Sequence, residues 1–250
     1  MTLNQFVESV IYTLDIRQGT TAKTYLGAYR RNIAPYLGDK NLEEITKNDL
    51  VTALAPLPSQ SRYQAVMIAR TVFREAVERQ LIQESPAATI KTPKIQVKPQ
   101  KFLTWEELSQ LDFGYQTKRI KFLALHGLRY GEAAALTKDD IHDGFVHITK
   151  SKYGATKSSS GVRKVPLLGE FMPFPKYQKC LATALKPHGV TVHSLRKTYA
   201  YTLKSAGIHV TTAAQLMGHS NPMVTLKIYT QVKDDETGKA GIELAKYLAS

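Results

Sequence analysis

Two arginines, two histidines and a tyrosine stand out in the C-terminal part of this chain. His193, Arg196, His219 and Tyr229 lie within HSLRKTYAYTLKSAGIHVTTAAQLMGHSNPMVTLKIY, and Arg129 lies upstream in GLRYGE. Together they are the polar groups needed to break a phosphodiester with a tyrosine nucleophile. The transition state of that reaction gathers negative charge on two non-bridging oxygens. A guanidinium answers it with parallel N–H donors and stays charged at any working pH. Arg129 sits in a turn between Gly127 and Gly131, and Arg196 follows His193 by three residues, which puts both on one face of a helical turn. A lone arginine would read as a surface ion pair; two in these settings, beside two histidines, point to an anion site.

A nucleophile and an acid are also needed. The tyrosine phenol titrates near pH ~10, so it requires cationic neighbours or a base. Tyr229 lies past His219, across the Ser220-Asn221-Pro222 turn; Tyr130, Tyr199 and Tyr201 are its rivals among the 13 tyrosines. A leaving alkoxide must be protonated. Lys152, in SKYG, is the best-placed lysine, with Lys157 the alternative in the same loop, and either could instead contact a phosphate backbone. His193 and His219 can donate or shuttle protons near neutral pH, or serve as structural histidines. There is no HExxH, no carboxylate at ligand spacing and no cysteine cluster, so no metal is expected. Neither a GxxxxGK[ST] loop nor a GxSxG elbow occurs.

The elements that must position these groups are mostly helical. Leu3, Phe6, Val7, Val10, Ile11 and Leu14 share one helical face behind a Thr2 cap. A second helix is predicted over about 21–36, with Tyr25, Leu26, Tyr29 and Ile33 inward and Arg30 and Arg31 outward. A third follows Thr46, and a fourth covers about 59–80. Residues 91–101, KTPKIQVKPQK, read as a basic linker between a helical domain over 1–90 and a second domain over 102–250. There the pattern gives a capping box at Thr104 and Glu107, a helix over 117–126, and β-like runs at 145–150 and 162–168 around a Gly/Ser-rich hairpin. From Ser194 the chain is helical again, with Asn221-Pro222 starting the helix of Tyr229 and a last helix over about 237–248.

The 250 residues carry a net charge of +13, of which +4 lies in residues 1–100 and +9 beyond. That field favours a polyanion, nucleic acid before membrane surface. Cys180 is the only cysteine, which excludes an internal disulfide. No signal peptide and no membrane span are expected.

The motifs GLRYGE, SKYG, HSLR and LMGHSNPMVTLKIYTQV, in the order Arg, Lys, His-x-x-Arg, His, Tyr, resemble the tyrosine recombinases of the phage-integrase type. TTAKTYLGAYRRNIAPYLGDKNLEEIT and SPAATIKTPK resemble, more loosely, the helical core-binding domain of that family. The residue two after Tyr229, often His in the family, is Gln231 here. The resemblance implies a mainly α fold with a small antiparallel β-sheet: a helical core-binding domain plus an α+β catalytic domain, closing on DNA as a C-shaped clamp. It implies that Tyr229 forms a 3′-phosphotyrosyl link, that Arg129, Arg196 and His219 hold the non-bridging oxygens, that His193 assists proton transfer and that Lys152 protonates the leaving oxygen. No cofactor, metal or ATP is then required. Arg30, Arg31, Lys94, Lys98, Lys101, Lys157 and Lys197 are expected on the DNA. The implied partners are a double-stranded recombination site, three further copies forming a homo-tetramer on two sites, and directionality or DNA-bending factors, in the cytoplasm of a bacterial host. A type IB topoisomerase and an inactive DNA-binding module of the same fold are the competing functions.

Overall fold

The computed structural model describes residues 1–11, 20–95, 100–155 and 159–230. The chain divides into two units, residues 1–98 and 99–250, each with its own core.

The first unit's regular elements are all helical among its described residues. Thr2 caps α1 (Leu3–Val10): its side chain accepts from the Gln5 N–H, and the Gln5 side chain accepts from the Thr2 N–H. The apolar stripe Leu3, Phe6, Val7 and Val10 is buried; residues 12–14 of the predicted helix lie outside the described residues. The second predicted helix is two helices, α2 (Thr20–Asn32) and α3 (Ala34–Leu37). Pro35 explains the break. It lacks an N–H and disfavours helical backbone at the residue before it, so it fits in the first turn of a new helix rather than the last turn of an old one. Leu26, Tyr29 and Ile33 are buried as expected, with Tyr25 packed at the edge. Thr46 and Asp49 form the capping box of α4 (Lys47–Leu54), and α5 (Ser59–Glu78) runs through the core on Ala65, Val66, Ala69, Val72, Phe73 and Ala76.

The second unit combines helices with two small antiparallel sheets. α6 (Trp105–Ser109) has the expected Thr104–Glu107 box. α7 (Thr117–His126) ends at Gly127, whose φ of 59° closes the helix in the left-handed region, and Leu128-Arg129 leads into α8 (Tyr130–Ala133). β1 (Ile141–His142), β2 (Phe145–Ile148) and β5 (Arg163–Pro166) form one sheet in the order β1-β2-β5, with Val146 opposite Val165. β3 (Lys150–Ser151) and β4 (Gly154–Ala155) form a separate hairpin whose turn is Lys152-Tyr153. The run predicted over 145–150 is therefore split: β2 ends at Ile148 and the chain leaves for the hairpin. β1 and α9 (Lys179–Leu185) carry too few patterned residues to have been anticipated. α10 (Ser194–Ser205) packs on α7, α11 (Val210–Met217) and α12 (Pro222–Thr230). The predicted helix over 237–248 lies outside the described residues. Among those described, no helix is long and apolar enough to cross a membrane.

Candidate active site

The arginines are positioned by main-chain carbonyls. A helix leaves its last carbonyls without intrahelical partners, and these sit at the negative end of its dipole. At the end of α11, three successive carbonyls each accept from a different arginine. Leu216 O takes the Arg163 Nε–H at 2.7 Å, Met217 O takes Arg196 Nη2, and Gly218 O takes Arg129 Nη2 at 3.3 Å. Arg196 also gives Nη1 to Gly127 O, which ties the α7 turn to the α11 turn. Arg196 is buried, and burial followed by the charges of Arg129 and Arg163 pulls its pKa down to about 9, so it remains a cation at neutral pH. Arg129 is half exposed.

His193 is the N-cap residue of α10, and His219 follows the Gly218 turn. With Arg129, Arg196, Lys197 and Asn221 they line one cleft of about 350 Å³. Burial, then the positive charge of Arg196 and Arg129 among others, pushes the pKa of both histidines down, that of His219 to about 4. Both are neutral at pH 7. The Thr225 hydroxyl is fully buried, 2.7 Å from His219 Nδ1. A buried hydroxyl must place its hydrogen on an acceptor. Nδ1 is the acceptor within its reach among the described contacts, which makes Nε2 the protonated nitrogen of His219.

Lys152 and Tyr229 do not line this cleft. The Lys152 N–H donates to Gly131 O at 2.8 Å and its Nζ to Lys176 O at 3.1 Å. That ammonium lies 5.0–5.9 Å from the ring centroids of Tyr130, Tyr153 and Tyr177, within cation–π range. The Tyr229 hydroxyl donates to Ile208 O at 3.3 Å, while its ring packs on the cluster of Tyr199, Ala200 and Met217. Burial raises its pKa there. Lys204 Nζ donates to the Tyr229 carbonyl. Of the rival tyrosines, Tyr199 is buried and pushed up to about 12, and Tyr130, also raised to about 12 by burial above all, gives its hydroxyl to Pro175 O at 2.5 Å. Tyr201 stacks its ring at a tilt on Phe102.

Of the residues expected on DNA, Arg31, Lys94 and Lys101 are exposed, and Arg30 pairs with Glu8 at 3.2 Å. Lys197 lines the cleft. Lys98, Lys157 and Gln231 lie outside the described residues. Sequence reasoning missed Glu132, Arg163 and Thr225. Glu132 had a signal, its capping-box spacing from Arg129. Arg163, at the head of a four-residue strand, had none. Among the described residues no group of three His, Cys, Asp or Glu converges as a metal site would require.

Residues 3–57 match the phage integrase N-terminal SAM-like domain, and residues 174–236 match the phage integrase family. A tyrosine recombinase of Thermosipho africanus is 25% identical over 90% of this chain and 88% of its own length. The tyrosine recombinase XerC of Neisseria meningitidis is 26% identical over 90% of each chain. The chain belongs to the phage-integrase family of tyrosine recombinases. Solved structures agree on the fold. The Tn1549 transposon integrase in complex with a circular intermediate DNA superposes with a TM-score of 0.77 at 18% identity, covering 98% of this chain and 99% of that one. A lambda integrase tetramer bound to a Holliday junction gives 0.69 at 20% identity, over 89% of this recombinase and 78% of that chain.

Proposed function

We propose that this recombinase cuts and rejoins double-stranded DNA at a specific site through a 3′-phosphotyrosyl intermediate on Tyr229. The observation that carries the reading is the cleft in which Arg129, Arg196, His193 and His219 meet, with both guanidiniums anchored on backbone. The scissile phosphate would sit there, its non-bridging oxygens on the two arginines and the His219 Nε2–H. Neutral His193 would take the phenolic proton as the Tyr229 oxygen attacks phosphorus. The bond from phosphorus to the 5′ oxygen then breaks, and Lys152 supplies that oxygen with a proton. The ester bond is conserved in the phosphotyrosine, so rejoining requires neither ATP nor metal. Attack by the 5′ hydroxyl of a partner strand, twice, through a Holliday junction in a four-copy assembly, would complete the exchange.

Tyr229 must move for this to happen. Ile228 lines the cleft and Tyr229 does not, and adjacent helical positions point roughly 100° apart. Turning or partly unwinding α12 would exchange the Ile208 carbonyl for two guanidiniums as surroundings of the phenol, and would lower its pKa. Lys152, held by its three tyrosine rings, would swing in with the hairpin.

The test is covalent trapping. Protein is mixed with fragments of its source genome without metal or ATP and denatured, and the attached DNA is sequenced, with Tyr229→Phe in parallel. Adducts at one recurring inverted-repeat site, absent from the variant, are expected. Scattered adducts would mean a topoisomerase-like activity. Tight binding with no adduct would mean a DNA-binding module, and adducts surviving Tyr229→Phe would mean another nucleophile.

A further inference from the structure

A third arginine stands behind the cleft, and its charge is spent on a buried carboxylate. Glu132 is 4% exposed and lies between two guanidiniums. Its Oε2 accepts from Arg163 Nη2 and from the Arg129 backbone N–H, each at 2.9 Å. Its Oε1 accepts from Arg129 Nη1 at 2.9 Å and from Arg163 Nη1 at 3.4 Å. Burial would raise the carboxyl pKa; hydrogen bonds and charge from Arg163, then bonds from Arg129, overcome that and keep it ionised.

The two arginines are held differently. The Arg163 side chain is 6% exposed, and each of its three nitrogens donates inside the protein, to Leu216 O, to Gly161 O and to Glu132. It has no route to a phosphate. Arg129 is 45% exposed, gives one nitrogen to Glu132 and one to Gly218 O, and lines the cleft. Two guanidiniums and one carboxylate leave one net positive charge, and it resides on the arginine that faces outward. Without Arg163, the same carboxylate would neutralise Arg129.

We infer that Arg163 is a positioning residue that offsets the charge of Glu132, so that Arg129 meets the scissile phosphate as an uncompensated cation. The inference rests on the phosphate-binding reading of the cleft. Arg163 also opens β5, the strand that follows the hairpin bearing Lys152, so one side chain joins the end of the hairpin segment to the end of α11.

Charge balance makes a prediction that packing does not. Inorganic phosphate is titrated into the whole protein and its dissociation constant is read by calorimetry; covalent adduct formation is measured on the trapped DNA. Arg163→Met should weaken phosphate binding about 10- to 100-fold, the worth of one charge-assisted hydrogen bond. Glu132→Gln removes the charge and keeps the shape and one accepting oxygen, and it should bind phosphate at least as well as the wild type. Arg163→Met combined with Glu132→Gln should recover most of the loss, and Arg163→Lys should fall between. If Arg163→Met does not fold, Glu132→Gln and the double variant decide. A double variant no better than Arg163→Met, or Glu132→Gln binding more weakly than wild type, would overturn the inference and leave Arg163 a packing residue. If phosphate affinity follows this pattern while the wild type forms no adduct on any DNA, charge balance stands and the recombination chemistry falls.

Discussion

Gly127→Ala should damage the second unit far more than its one added carbon suggests. Gly127 has a φ of 59°, where an L side chain costs roughly 1–2 kcal/mol. A Cβ there would stand 2.2 Å from Cδ1 of Tyr199 and 2.9 Å from its Cγ. Tyr199 is 5% exposed within the α10 packing, so the ring cannot swing clear, and forced repacking of this kind costs roughly 1–3 kcal/mol. The sum is roughly 2–5 kcal/mol. Gly207→Ala is the control: its φ is 71°, but a Cβ there meets no atom within 4 Å, so it bears the conformational cost alone. Trp105 is the chain's only tryptophan and lies in the second unit, so urea unfolding followed by its fluorescence reports that unit by itself. For a protein this size each kcal/mol moves Tm by about 2–4 °C, which puts Gly127→Ala about 4–20 °C below wild type. Gly127 O also holds Arg196, so phosphate affinity should weaken with it. Equal losses in the two variants would refute the argument, because the contact with Tyr199 would then count for nothing.

Thr225→Val keeps shape but removes the hydroxyl that donates to His219 Nδ1, so the tautomer is no longer set; adduct formation should fall about 10-fold. Nitrogen NMR of His219 checks the cause, and an unchanged Nε2–H population would count against it. His126 is fully buried, with Nδ1 2.7 Å from Phe122 O and Nε2 accepting the Leu168 N–H at 2.9 Å, and burial holds its pKa near 4 against an ordinary 6.5. A folded-state pKa below the unfolded one gives stability that is complete above pH 6.5 and is lost as pH falls towards 4. The second unit should lose about 2 kcal/mol between pH 7 and pH 5 from this group. His126→Gln should flatten that dependence in Trp105-monitored unfolding; an identical slope would remove His126 as the source.

Local rules carried much of this structure into view. The cap at Thr2, the capping box at Thr104 and the stripes of α1 and α5 follow from short-range patterns, and the structure has them. The arginine, histidine and tyrosine motifs were equally local, because each sits in its own turn or cap. What stayed hidden depends on long-range pairing. Arg163 meets Leu216 across 53 residues and Glu132 across 31, and no spacing rule reaches that far. The resting place of Tyr229 was also hidden: its distance from His219 along the chain says that α12 returns, but not which way each side chain on it faces. The α2–α3 break follows from Pro35, within a stretch whose apolar spacing reads as one helix over 21–36.

The ladder of carbonyls at residues 216–218 changes what kind of mutation matters. Its chemistry belongs to the main chain, so the side chains of Leu216 and Met217 add nothing polar to it, and another apolar residue that keeps the helix would leave all three arginine contacts available. A single inserted or deleted residue within α11 is another matter. It turns every later carbonyl by roughly 100° about the helix axis and slides it by about 1.5 Å, so each arginine faces the wrong oxygen at once. This stretch should therefore be tolerant of spelling and intolerant of length. Any redesign of the enzyme's specificity can vary the exposed positions of α11, Thr211, Thr212 and Gln215, but must leave the number of its residues alone.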